Sequence, residues 1–351
     1  MPLDTALNKD FSEEEVRLML SNLDKYTSEE LTEIDSLVGE LEARKYKQRA
    51  HTDLMEFCKH MQSDYKVGKH HRMLGDMLMD VETGGKDRIC VNIPPRHGKS
   101  QLVSIMFPAW FLGRNPDKKV MMVSHTTDLA VDFGRKVRNM IATEAYKAIF
   151  PTVSLAVDSK SAGRWNTNTG GEYYACGIGS SIAGRGADLL IIDDPHSEQD
   201  VINGNFGVFE KAYEWFTYGA RTRLMPGGSV AIIQTRWHMD DLTGRVVHDM
   251  SKNDKADQYE IVEFPAIIEV PNKGTSGYTQ KPLWPEFFDL DALLRTKASM
   301  PAFQWNAQYQ QEPTAEEASI VKREWWQSWG DKKPPLCEYI IMSLDAAAES
   351  H

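Results

Sequence analysis

A short apolar run from Arg88 to Ile93 leads into Pro94-Pro95-Arg96-His97-Gly98-Lys99-Ser100 and then into QLVSIMFPAWFL, whose spacing is helical. Strand, glycine-containing turn and helix in that order are what a phosphate-binding loop requires. Backbone N–H groups at a helix N-terminus point at the phosphates, Gly98 admits close approach, Lys99 reaches the β- and γ-phosphates, and Ser100 can hold Mg2+. The run departs from the pattern G-x-x-x-x-G-K-[ST], because Ile93 stands where the first glycine belongs. A bare G-K-S also arises by chance in surface loops, so the loop needs a second element.

Leu189-Leu190-Ile191-Ile192-Asp193-Asp194, about 90 residues further on, supplies that element. It puts two carboxylates at the C-terminal end of a buried strand, where open α/β sheets bind ligands. In phosphate-loop enzymes the first acid holds Mg2+ and the second orients the attacking water, so Asp193 and Asp194 fit those roles. An acidic pair before Pro195 could also mark a strand turning into a loop. The two features together point to nucleotide hydrolysis.

Lys119 to Ser124 and Ser229 to Gln234 are further apolar runs without alternation, as expected of a mainly parallel sheet covered by helices on both faces. The fold class read from this is α/β, a phosphate-loop NTPase with an N-terminal helical extension. That extension spans 1–60, with capping-box spacings at Ser12/Glu15 and Thr27/Glu30 and an apolar stripe of Leu31, Ile34, Leu37, Val38 and Leu41. A helix is predicted from His70 to Val81. The ATPase domain is expected over 61–330, with Pro271 to Lys281 a surface loop and Asp331 to Pro335 a linker. One apolar strand, Glu338 to Asp345, falls in the remaining 331–351. A strand is not a domain, so a longer protein is expected.

The net charge of −11 means that any contact with nucleic acid must be local. Cys58, Cys90, Cys176 and Cys337 lack a C-x-x-C pair and are expected as free thiols. No signal peptide or long apolar stretch directs the chain to a membrane. Trp305, Trp325, Trp326 and Trp329 lack an accompanying basic face and read as packing residues.

With the loop PPR-x-GKS, the approach KVGKHHRMLGDML, SIAGRGADLLIIDDP, TRLMPGGSVAIIQTRWHMDDLTGR and FQWNAQYQQEP, the chain resembles the phage terminase large subunit family over roughly 65 to 313. The missing first glycine is then a family trait. The resemblance implies ATP and Mg2+ as cofactors, with Pro95 to Gln101 (Pro95, Arg96, His97, Gly98, Lys99, Ser100, Gln101) around the phosphates. Ser100 and Asp193 take the metal, and Asp194 is the catalytic carboxylate where many relatives carry Glu. Glu198 is held in reserve for that role. Arg96 becomes a sensor of the γ-phosphate in its own subunit, and Arg185, between two glycines, an arginine finger acting on a neighbour. Gln234, Thr235 and Arg236 fall at the family's coupling motif, and an adenine contact is implied between Lys66 and Arg72. Asp345 would be the first metal ligand of an RNase H-like nuclease that this chain only begins.

The implied function is an ATP-hydrolysing motor subunit that moves double-stranded DNA into a procapsid. Its implied partners are a portal protein, a small terminase subunit and further copies in a ring, a pentamer, in the cytoplasm of an infected bacterium. A helicase-like ATPase or a non-hydrolysing assembly switch would share the loop and the acid pair, and both stay open at this point.

Overall fold

Residues 18–22, 25–159, 161–202, 204–272 and 277–314 are described by the structure, a computed structural model. β1 (Arg88–Asn92), β2 (Lys119–Ser124), β3 (Arg164–Asn166), β4 (Glu172–Gly177), β5 (Ala187–Asp193), β6 (Leu224–Gln234) and β7 (Glu260–Glu263) form one sheet in the order β3-β4-β2-β5-β6-β1-β7. Every pairing is parallel except that of the edge strand β3 with β4. Side chains alternate between the faces of a strand, and here both faces are apolar. Ile89, Val91, Leu189, Ile191, Ala231 and Ile233 join one core, while Cys90, Leu190, Ile192, Val230 and Ile232 join the other.

The first core is roofed by α1 (Ser28–Thr52), α2 (Leu54–Met61) and α3 (Lys69–Thr83), together with the helix that follows β1. That helix runs with wide π-helical turns through Gln101–Met106 and continues as α4 (Phe107–Arg114). α5 (Thr127–Ile141) and α6 (Glu144–Ile149) complete the layer. On the opposite face, α7 (Glu198–Ile202) and α8 (Gly207–Glu214) lead to a π-helical segment, Trp215–Ala220, and α9 (Leu242–Lys252) follows β6. Thr27 caps α1 with the expected reciprocal bonds to Glu30. Of its stripe only Ile34 is fully buried, and Leu31 is exposed.

The expected surface loop at Pro271 to Lys281 is instead the end of a hairpin, β8 (Ile267–Pro271) paired antiparallel with β9 (Tyr278–Pro282). Its strands are largely exposed and carry no apolar alternation, which hid them from a pattern reading. α10 (Leu290–Ala298) and α11 (Ala302–Gln310) pack beside it, with Trp305 buried against Ala266, Ile267 and Leu293. No described helix is long and apolar enough to cross a membrane. Cys58, Cys90 and Cys176 are free and buried.

Residues 1–17 and 315–351 lie outside the described residues. The Ser12/Glu15 cap, Trp325, Trp326, Trp329, Cys337, the strand Glu338 to Asp345 and its Asp345 therefore lie outside them too. What positions the site is register. Ser124 of β2 pairs with Asp193 of β5, Asp193 with Ile233 of β6, and Gln234 with Asn92 of β1. Four strands thus end at one level of the sheet edge.

Candidate active site

β1 and β5 are not neighbours; β6 lies between them, so the phosphate-type loop and the acid pair face each other across the end of one intervening strand. Lys99 opens the helix after the loop, and its Nζ lies 2.8 Å from Asp194 Oδ2 and donates to Thr235 Oγ1 at 3.2 Å. Burial pushes the Lys99 ammonium toward lower pKa, but Asp194 and Asp193 outweigh it and the net shift is upward. The lysine is therefore a buried cation paired with Asp194 and favoured by the charge of Asp193. Thr235 carries the link onward by donating its hydroxyl to the Ile93 carbonyl.

Asp193 is buried and accepts a hydrogen bond on Oδ2 from Ser104, at 2.6 Å. Its Oδ1 is buried and has no hydrogen-bond partner among the described residues. Burial first, and Asp194 second, raise this carboxyl to about 6, against the opposing pull of Lys99, Ser104 and Ser100. One free carboxylate oxygen beside two serine hydroxyls is an all-oxygen donor set of the kind that hard divalent cations prefer. No group of three or more His, Cys, Asp or Glu that could hold a metal ion exists among the described residues. Mg2+ does not require one, because it keeps waters and phosphate oxygens as most of its ligands. The residues present fit Mg2+.

Asp194 is tied down through its backbone. Its N–H donates to Ile233 O, its carbonyl accepts from His125 N, and its Oδ1 accepts from Thr235 N at 3.0 Å. These bonds hold it at φ 43°, in the left-handed region that side chains disfavour. In the loop, Arg96 at φ 63° and Gly98 at φ 80° share that region. Such turns converge successive N–H groups on a concavity suited to anions. A Cβ at Gly98 would also collide with His71 Nε2. The glycine thus serves both the turn and the close passage of α3.

α3 grips the loop from outside. His70 Nε2 and His71 Nε2 both donate to the His97 carbonyl, at 3.1 and 2.9 Å. A carbonyl only accepts, so both imidazoles carry their proton on Nε2. His71 Nδ1 accepts from Gly68 N, and His97 Nδ1 donates to Pro95 O. Burial lowers all three pKa values to about 4, so the rings are neutral. Lys69 and His70 also line a cavity of about 660 Å³ with Met73, Phe264, Ile268 and Leu283.

The remaining candidates spread out. Arg96 is exposed, Pro95 and Gln101 are half-buried, and Gln101 donates to Gln62. Glu198 is exposed on α7. Gln234 turns its amide into the core, donating to Thr243. The Arg236 guanidinium is buried against Asp241 and Glu263, 2.9 and 3.3 Å away, rather than beside Lys99. Arg185 precedes the start of β5, at the opposite edge from Asp193. It pairs there with Glu172 at 3.2 Å and lies over the Tyr174 ring at 4.5 Å.

Sequence reasoning missed Ser104 and the grip of His70 and His71 on the loop. Ser104 had a signal, since it stands four residues after Ser100 and shares its helix face. The paired histidines had none, because their target is a backbone carbonyl.

A family profile described as terminase large subunit, T4likevirus-type, N-terminal, matches residues 90–328. Among solved structures, the large terminase of bacteriophage HK97 is similar at 15% identity and TM-score 0.46, covering 71% of this chain and 51% of its own. The large terminase ATPase domain of Thermus phage P74-26 is similar at 16% identity and TM-score 0.40, covering 65% of this chain and 88% of its own. A large terminase from a thermophilic bacteriophage, in complex with ATP-gamma-S, is similar at 12% and 0.40, covering 65% and 50%. The chain therefore spans about half the length of the HK97 protein. A search of curated proteins found no match.

Proposed function

The chain belongs to the terminase large subunit family of the T4-like type, matching its N-terminal region, and from that premise we propose that it is an ATP-hydrolysing subunit of a viral DNA-packaging motor. The observation that carries the reading is the buried ammonium of Lys99, paired with Asp194, bonded to Thr235 and favoured by the charge of Asp193, at the converging ends of β1, β5 and β6. A purely structural ion pair has no need of a loop with two left-handed residues, nor of an unpartnered carboxylate oxygen beside it.

On this reading the loop N–H groups and Lys99 bind the ATP phosphates. Lys99 must then leave Asp194, which frees Asp194 Oδ2 to accept a proton from the attacking water while Thr235 N keeps Oδ1 fixed. The ion pair would thus hold the base back until the lysine has moved to a phosphate. Ser100 and Asp193 would hold Mg2+, which offsets negative charge on the phosphates. Asp194 is favoured over Glu198 because Asp194 touches Lys99 and Thr235, whereas Glu198 is exposed. Arg96 is exposed on the loop and assigned to sensing the γ-phosphate. The cavity beside Lys69 and His70 is assigned to the adenine ring.

Arg185 lies a whole strand away from Asp193, roughly 20 Å at about 3.3 Å per residue, and cannot reach its own site. Its proposed role is in a neighbour's site, after release from Glu172. Thr235 is the proposed coupling residue of the β6 end, with Gln234 and Arg236 as its supports. Double-stranded DNA, a portal, a small terminase subunit, a pentameric ring and the host cytoplasm are proposed as the setting, with Asp345 proposed as the first metal ligand of a nuclease site.

ATP hydrolysis measured against protein concentration tests this for wild type, Lys99→Ala and Asp194→Ala. Turnover that rises with concentration and is lost in both variants, with ATP still bound by Asp194→Ala, is expected. A wild type that binds ATP but never turns over, with DNA and at high concentration, would favour an assembly switch instead.

A further inference from the structure

Ser104 is wholly buried, on a helical segment whose other residues Leu102, Val103, Ile105 and Met106 are buried and apolar. A serine inside a helix usually satisfies its hydroxyl on its own preceding turn. This one reaches out of the helix to Asp193 Oδ2 at 2.6 Å, while Oδ1 of the same carboxylate is left without a partner. Ser100, one turn earlier, also helps to lower the pKa of this carboxyl, and both serines stand on the helix that begins at the phosphate-type loop.

We propose that Ser104 is a positioning residue for the magnesium-binding carboxylate: its hydroxyl occupies Asp193 Oδ2, so that Oδ1 is the oxygen offered to the cation. The inference rests on the reading of Asp193 as the magnesium acid. Ser100 is assigned to the metal itself, whereas Ser104 is wholly buried and left to hold the carboxylate. A buried carboxylate on a strand end can rotate about its last torsion, and one strong hydrogen bond to a rigid helix removes that freedom. The wide turns over Gln101–Met106 support a functional placement, since such irregular turns concentrate at functional sites.

The test is the binding of a fluorescent ADP analogue to the full chain across a range of Mg2+ concentrations and in EDTA. For Ser104→Ala the affinity in EDTA is expected within twofold of wild type, while the Mg2+ concentration giving half of the enhancement rises about five- to tenfold. Asp193→Asn is expected to abolish the enhancement, and adding Ser104→Ala to it should change nothing more. A Ser104→Ala protein with wild-type Mg2+ dependence would overturn the proposal, as would an equal loss of affinity with and without Mg2+. If wild type binds the analogue but Asp193→Asn keeps the full enhancement, the underlying reading of Asp193 fails first. Should the alanine variant melt too low to assay, Ser104→Thr and Ser104→Cys replace it. A threonine that keeps and a cysteine that loses the Mg2+ dependence supports the role, and equal behaviour of the two overturns it.

Discussion

Burying Asp193 with one oxygen unpartnered is costly, and the cost has a sign that can be measured. Burial raises its carboxyl to about 6 in the folded chain, against about 3.9 for an ordinary aspartate, so above pH 6 the ionised group lowers stability. Acidification from about 6 toward 4 relieves this. Asp193→Asn should therefore raise the melting temperature at neutral pH, by roughly 1–3 kcal/mol of stability, while Mg2+-dependent turnover is lost. A melting curve at pH 7.5 that shows the variant less stable than wild type would sink this account. Asp194 differs, since its left-handed backbone and three backbone-derived bonds place its Oδ2 2.8 Å from the Lys99 ammonium.

At the scale of elements, the end of β6 joins the site to α9 and α11. Asp241 caps α9 and holds Arg236, and Gln311 Oε1 accepts from Arg236 N just after α11. Arg236→Ala would leave Asp241 buried and unpaired, so a loss of stability of about 3–5 kcal/mol is expected, and any lost activity would say little about coupling. Thr235→Val removes only the hydroxyl between Lys99 and Ile93. It should keep the melting temperature within a few degrees while cutting hydrolysis at least tenfold, and wild-type hydrolysis would refute its role. α3 makes a second prediction. His70, His71 and His97 are held neutral with pKa lowered to about 4, so their contribution is present above 6.5 and is lost as pH falls through 4. Three imidazoles outnumber Asp193, whose effect is opposite, and the melting temperature should fall between pH 6.5 and 4; a flat profile would contradict the burial of these rings. The central strands were legible in the sequence because RICVN, KVMMVS and LLIID are apolar without alternation between their ends. β3 is three residues long, and β7, read as EIVE, is half polar; neither offers a period to detect. Lys99, Ser100, Asp193 and Asp194 could be read from linear spacing, but the meeting of Thr235 with Lys99 depends on the register of β6 beside β1.

For the whole molecule, the opposed edges of the sheet carry the two halves of the proposed reaction. Lys99 and the acids stand at the C-terminal edge, and Arg185 waits at the other with Glu172 and Tyr174. If Arg185 serves a neighbour, mixing Arg185→Ala with Asp194→Ala should restore part of the hydrolysis that each variant alone lacks, because one supplies the arginine and the other an intact site. Mixed samples no more active than either parent would remove the arginine from catalysis.

If the proposed motor role holds, the chain works under load, and the ladder around β6 then decides where that load is felt. Its C-terminal half is bonded in register to β5 on one side and to β1 on the other. Tension along the strand would have to shear both ladders at once, a stiffer response than peeling one edge. The acid-bearing and loop-bearing strands therefore move together as one plate. Compliance belongs to the connections beyond it, Pro195 to Ser197 and Trp237 to Asp240, which become the natural places to introduce a glycine or a cross-link when asking how force leaves the site.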